Sequence, residues 1–232
     1  MRTNKIVVVL LALTIGMQIV IFYRQSRGPS VGQARQQPPP VRDADRGTVI
    51  ELRGLPTQGS SRARVALIEF SDYECPYCAR YSTTVLKDIR KEFVESGKLQ
   101  YAFANNPLPI HGNARSLAIA ALCAGQQDRY WEMHDKLFET TPKSKDAVRE
   151  IAAGLGIDMK SFGECSDQSA ASEKRIDGDI AKARTFQLLG TPGFAIGIVD
   201  SRGQVQIQKF VMGAQPLEVF QSAIKEVLNR VS

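Results

Sequence analysis

The sequence is short of the side chains from which most polar active sites are built. Its 232 residues hold four Cys and two His, and this scarcity excludes several classes. A structural zinc site needs four ligands at workable spacing. The single C-x-x-C, Cys75-Pro76-Tyr77-Cys78, has no second copy, and His111 and His134 do not make a matching pair. No Cys precedes Cys75, which excludes a lipoprotein-type N-terminal cysteine. Eleven Pro and 18 Gly are too few for a collagen-like or wholly disordered chain. No internal repeat is visible. With 43% apolar and 23% charged residues, the composition suits one globular domain with appendages, long enough to bury a core without cross-links or metal.

Charge is present but unevenly placed. The formal excess is +6, yet residues 1–47 carry seven basic groups against two acidic ones, leaving 23 and 22 for the remaining chain. The basic balance belongs to the N-terminal segment, and the globular part has no basic footprint for nucleic acid. Ile6 to Tyr23 is an apolar run broken only by Thr14, Gly16 and Gln18. As a helix it spans about 27 Å, close to a hydrocarbon core. It is longer than the apolar region of a cleaved signal and lacks a good small-residue cleavage site. Residues 1–23 therefore read as an uncleaved signal anchor rather than the leader of a secreted form. The flanking charges Arg2, Lys5, Arg24 and Arg27 do not settle orientation. Residues 24–47, with Pro38-Pro39-Pro40, read as a disordered, partly polyproline tether.

From residue 48 onward the pattern alternates strand and helix. Thr48–Leu52, Val65–Phe70 and Leu99–Ala104 read as strands, and Pro76 to about Ser96 as one long helix ended by Gly97. Asn113 to about Leu189 reads as helical throughout. Phe194–Val199 and Val205–Phe210 form a hairpin around Asp200–Gly203, followed by a last helix, Leu217–Val231.

Four Cys allow three pairings. The economical one makes Cys75 and Cys78 a redox couple and Cys123 and Cys165 a staple; the alternative for the second pair is two inert buried thiols. Pro76 suits the first turn of a helix because its missing N–H would have no partner there. Cys75 then sits at the helix N-terminus, where free N–H groups and the positive end of the macrodipole stabilise a thiolate. The thiolate is both attacker and leaving group in disulfide exchange, and Cys78, one turn inside, would be the shielded partner. Glu69 lies six residues before Cys75 within the apolar strand. Buried there it would have a raised pKa and ferry the proton of Cys78; the other reading points it outward at a strand edge. The X-Pro bond of Thr191-Pro192, just before a strand, is either cis or an ordinary trans loop start.

The stretch VALIEFSDYECPYCARY at 65–81 resembles the active-site region of DsbA-like thiol–disulfide oxidoreductases of the thioredoxin superfamily. Thr191-Pro192 matches that family's cis-proline loop, and Ala120–Phe138 is similar to its helical insertion. The resemblance implies an α/β thioredoxin fold over 48–232 with a helical domain inserted at about 112–189. It implies Cys75 as nucleophile, Cys78 as resolving thiol, Glu69 as the buried acid, and Pro76-Tyr77 as the dipeptide that tunes the couple. Thr191 and Pro192 would then offer backbone to an extended substrate, and Cys123 with Cys165 would form the structural disulfide of some members. Strongly oxidising members carry His where Tyr77 stands, so a less oxidising couple is expected. Tyr130, Trp131, His134, Leu137 and Phe138 share one helical face and read as core; His111 reads as a turn or cap residue, or as a lining of the groove.

The resulting expectation is a membrane-anchored, monomeric disulfide oxidase of the extracytoplasmic (periplasmic) side, acting on reduced exported proteins. A redox partner would recharge it, and neither metal nor organic cofactor is implied. The alternatives are a reductase or isomerase of the same fold and, from another class, a peptide-binding chaperone without redox turnover.

Overall fold

The apolar run at 65–70 becomes the centre of a mixed sheet. In the computed structural model, which describes residues 40–141 and 143–231 together with the exposed helical residue Gln18, seven strands and eight helices follow one another. The strands are β1 (Val41–Asp43), β2 (Val49–Glu51), β3 (Thr57–Gln58), β4 (Val65–Ser71), β5 (Leu99–Asn105), β6 (Gly193–Val199) and β7 (Gln204–Met212). The helices are α1 (Pro76–Thr83), α2 (Val85–Ile89), α3 (Ala114–Gly125), α4 (Tyr130–Glu139), α5 (Lys145–Gly154), α6 (Met159–Asp167), α7 (Ala170–Thr185) and α8 (Leu217–Leu228), with a π-helical turn at Arg90–Val94. All of this belongs to the second of two units, Pro39–Ser232. Apart from Gln18, the expected anchor at 1–23 lies outside the described residues, as does most of the expected tether. Among the described residues no helix is long and apolar enough to cross a membrane.

The sheet order is β1-β7-β6-β4-β5-β3, with β2 also on β7. Only β4 and β5 run parallel; the other pairs are antiparallel. Every residue of β4 is buried, which is why it lacks the alternation of a half-exposed strand. Its side chains still alternate between faces. Val65 and Leu67 pack with Tyr81, Leu86 and Ile89 of α1 and α2 and with Phe220 and Ile224 of α8. Ala66, Ile68 and Phe70 pack on the opposite face with Leu52, Ala183 and Phe210. The stretch expected to be helical throughout holds α3–α7, whose own core includes Tyr73, Phe103, Leu117, Met133 and Phe138.

Three features differ from the sequence reading. The C-terminal end of the tether is not disordered: Val41–Asp43 pair with Val211–Lys209 of β7. Side chains hold this short edge strand in place, with Lys209 Nζ 2.9 Å from the Asp43 carboxylate and the Arg42 guanidinium 4.1 Å over the Phe210 ring. The helix expected from Pro76 to Ser96 is broken into α1, α2 and the π-turn. Thr83 and Thr84 donate their hydroxyls back to Ala79 O (2.7 Å) and Arg80 O (2.6 Å), which competes with the helical ladder and bends it. The two-residue β3 has no counterpart in the sequence reading. The hairpin turn holds as expected, Asp200 Oδ1 accepting the N–H groups of Arg202 and Gln204 at 2.9 Å.

Cys123 of α3 and Cys165 of α6 are joined by a disulfide with Cα atoms 5.7 Å apart, closing a loop of 42 positions. Closing a loop of that size restricts the unfolded chain by about 4 kcal/mol. Replacing both with Ala is expected to lower unfolding free energy by about that amount, read as a fall in the urea midpoint with a somewhat steeper slope, since the unlinked unfolded chain exposes more surface. Loss of less than about 1 kcal/mol would mean the bridge contributes little.

Candidate active site

The site forms where β4 turns into α1. Cys75 is the helix N-cap, with extended backbone angles (φ −72°, ψ 120°), and Pro76 fills the first helical position. Asp72 shapes the turn. Its Oδ1 accepts Glu74 N–H at 2.7 Å, as Asp does in an Asx turn, and its carbonyl accepts Cys75 N–H at 3.1 Å. The other carboxylate oxygen, Oδ2, accepts Leu108 N–H at 2.7 Å and lies 2.8 Å from His111 Nδ1. Glu74 in turn accepts hydrogen bonds from the backbone and side-chain nitrogens of Asn113. The thiol turn is thus clamped to the segment 106–113.

Cys75 and Cys78 are both free and buried. The Cys75 thiol reaches the Thr191 carbonyl oxygen at 3.4 Å, and the Thr191–Pro192 peptide bond is cis. The two sulfurs are pushed in opposite directions. A hydrogen bond from the Cys78 thiol brings Cys75 down to about 5 against the cost of its burial, helped by the Thr191 hydroxyl and by the N–H groups of Cys78 and Tyr77. Those N–H groups are the free donors of the first helical turn. Burial pushes Cys78 far up, and the hydrogen bond to Cys75 and the Glu69 charge add to it. One sulfur is therefore a thiolate at neutral pH and its neighbour holds a proton.

Glu69 points into the interior, fully buried beneath this pair. Burial raises its carboxyl to about 7, although the Tyr101 hydroxyl, 2.6 Å from Oε2, and the Ser71 hydroxyl pull the other way. Its Oε1 has no partner. The carboxyl can therefore gain or lose a proton near neutrality. The helical stripe lies beside the site as core: Tyr130, His134, Leu137 and Phe138 are buried, Trp131 is half-buried, and Tyr73 bridges from the thiol turn to His134 Nδ1 at 3.1 Å. Burial holds His134 well below the ordinary imidazole range. Tyr77 is 58% exposed beside the thiols. Sequence reasoning missed Ser71, Asp72, Glu74 and Tyr101. Only Ser71 and Asp72 left a local trace, the first two positions after Glu69 on the same strand face, the second as an Asx-turn former just before a helix.

Two outcomes follow from these groups. Iodoacetamide should alkylate Cys75 of the reduced protein with a midpoint near pH 5, while Cys78 stays unmodified below pH 9; a midpoint near 9 would contradict this geometry. Glu69 keeps its proton to about pH 7 when folded and releases it near 4.5 when unfolded. Between these values the folded protein binds more protons, so its stability falls as pH rises. Glu69→Gln should remove roughly 3 kcal/mol of that fall, measured as the difference in unfolding free energy between pH 4.5 and pH 8.

The chain is similar to known proteins in sequence and fold. A family model described as thioredoxin matches residues 53–213. "Disulfide bond formation protein D" of Bacillus subtilis is 32% identical over 97 residues, 40% of this chain and 43% of that protein. "Na(+)/H(+) antiporter NhaA 3" of Salinispora tropica is 30% identical over 169 residues, 72% of this chain but 25% of that protein. The chain thus spans less than half the length of either relative. The crystal structure of alpha-DsbA1 from Wolbachia pipientis superposes with a TM-score of 0.65 at 19% identity, covering 77% of this chain and 92% of that one, a likeness of fold. With the family model spanning most of the chain, the protein belongs to the thioredoxin family, and its resemblance is to the DsbA-like members.

Proposed function

We propose that the protein is a thiol–disulfide oxidoreductase that oxidises paired thiols in exported polypeptides. The observation that carries this reading is the opposed pair of sulfurs on one helical turn: a stabilised Cys75 thiolate against the Thr191 carbonyl of the proline loop, beside a buried Cys78 thiol that keeps its proton. In the working direction the enzyme starts as the Cys75–Cys78 disulfide. A substrate thiolate attacks Cys75 Sγ, the Cys75–Cys78 bond breaks, and Cys78 leaves with the electron pair. Protonated Glu69, beneath the pair, supplies the proton that Cys78 holds. A second substrate thiolate then attacks the substrate sulfur of the mixed disulfide and expels Cys75 as its stabilised thiolate. Two electrons have passed to the enzyme, and a redox partner removes them.

The surroundings suit an unfolded chain. Tyr77, Ile110 and Leu189 are among the few exposed large apolar residues of the described structure. They lie between the cysteines, next to His111 and just before Thr191. An extended substrate would pair with the backbone of the proline loop in the manner of an added strand. The Cys123–Cys165 disulfide suits an oxidising compartment, and the apolar run at 6–23 suits a single-pass anchor in the cell membrane with the catalytic unit outside the cytoplasm. A pKa near 5 falls between about 7 for thioredoxin and about 3.5 for DsbA, as expected for Tyr77 in place of a cation.

Cys75→Ser should abolish oxidation of a reduced, unfolded substrate, and Cys78→Ala should accumulate mixed disulfides through Cys75. Full activity in Cys75→Ser would leave only the chaperone reading. The reduction potential of the couple should fall between about −270 and −120 mV; a value at the lower end would reverse the direction to reduction or isomerisation.

A further inference from the structure

The dipeptide between the cysteines supplies no positive charge, yet the site is not without one. His111 lies on the segment clamped against the thiol turn, its Nδ1 2.8 Å from Asp72 Oδ2 and its side chain 19% exposed. The Asp72 side chain is 0% exposed and is held by the N–H groups of Glu74 and Leu108. The same residue fixes Cys75 through the bond from Cys75 N–H to the Asp72 carbonyl. One acid therefore ties imidazole and sulfur into a single rigid turn. We propose that His111, held on Asp72, is the cation of this site: it stabilises the Cys75 thiolate from outside the C-x-x-C motif and sets how oxidising the pair is.

The charges facing the imidazole agree with this. Burial alone would lower it, but Asp72, the Cys75 sulfur and Glu74 together hold it above the ordinary imidazole range. Arg115 and Arg184 line the same cavity, and Arg115 is bound to Glu173 and Asp177; Lys143 also acts on Asp72 and Glu74, but its ammonium is hydrogen-bonded to the Leu137 and Thr140 carbonyls. Reduction of the disulfide takes two electrons and, near neutral pH, one proton, which Cys78 holds. It leaves a negative sulfur at Cys75. An imidazolium near that sulfur favours the reduced state, and by linkage the thiolate favours the imidazolium. His111 must then bind its proton more tightly in the reduced protein than in the oxidised one. Between those two pKa values the potential falls with pH more steeply than the thiols alone require.

This inference rests on the oxidoreductase reading, but its test does not need turnover. The chain has only His111 and His134, and His134 is buried and stays neutral, so the titrating imidazole signal in a proton NMR experiment is that of His111. Titrated in the reduced and oxidised protein, its pKa is expected to be higher when reduced. In parallel, His111→Gln should raise the Cys75 alkylation midpoint and shift the glutathione equilibrium about tenfold toward the disulfide, about 30 mV more reducing. His111→Lys, which keeps a charge, should recover most of the shift. Equal His111 pKa values in the two redox states would overturn the proposal. So would a His111→Gln variant with unchanged midpoint and equilibrium, whatever Cys75→Ser does to activity. If His111→Gln fails to fold, the wild-type titration decides alone.

Discussion

The buried carboxylate of Asp72 holds the site together. A β-strand that feeds directly into a helix must reverse its backbone within a few residues, and here that reversal places a sulfur at the helix N-terminus. Asp72 organises it by accepting the Glu74 and Leu108 N–H groups and contacting His111, while its carbonyl accepts Cys75 N–H. Each bond satisfies a group that would otherwise be stranded near the interior. The result is a thiol whose position depends on two distant stretches of chain rather than on its own helix alone. The cis Thr191–Pro192 bond closes the third side.

A second constraint is the separation of proton affinities among three neighbouring groups. Cys75, Cys78 and Glu69 lie on two consecutive elements, β4 and α1, yet they hold protons over very different ranges. Donors at a helix start favour charge on Cys75; burial without such donors disfavours it on Cys78 and Glu69. Tyr101 limits the effect on Glu69 by giving one oxygen a hydrogen bond, which leaves its proton exchangeable near neutrality instead of locked. The fold thus sets a gradient of proton affinity across a few side chains.

What the sequence made legible were features with local causes. The apolar run of β4, the Pro76 that opens α1, the Asp200–Gly203 turn and the last helix each follow from composition or spacing within about ten residues. Features that depend on distant partners were not legible. β1 and β3 have three and two residues, too few for any periodicity, and exist because β7 and β5 offer free edges. The break at Thr83 and Thr84 needs two adjacent hydroxyls to turn back on the helix. The reach of Asp72 and Glu74 to 108–113 is a contact between loops with no shared pattern. At Glu69 both orientations were open in the sequence; the placement of β4 between β5 and β6 resolves them, since a central strand has no outward edge.

The edge strand β1 has a directional consequence. Val41 pairs with Val211, and the next β7 residue, Met212, pairs with Gly193, which follows Pro192. Met212 N–H also bonds to Pro40 O. The body of the protein therefore receives the incoming chain at the same end of the sheet as the proline loop. Any pull or load delivered through Pro40 acts along β1 as shear on a few ladder bonds, two strands from the loop that faces the sulfurs. Pro40 and the point of chemistry share one mechanical address.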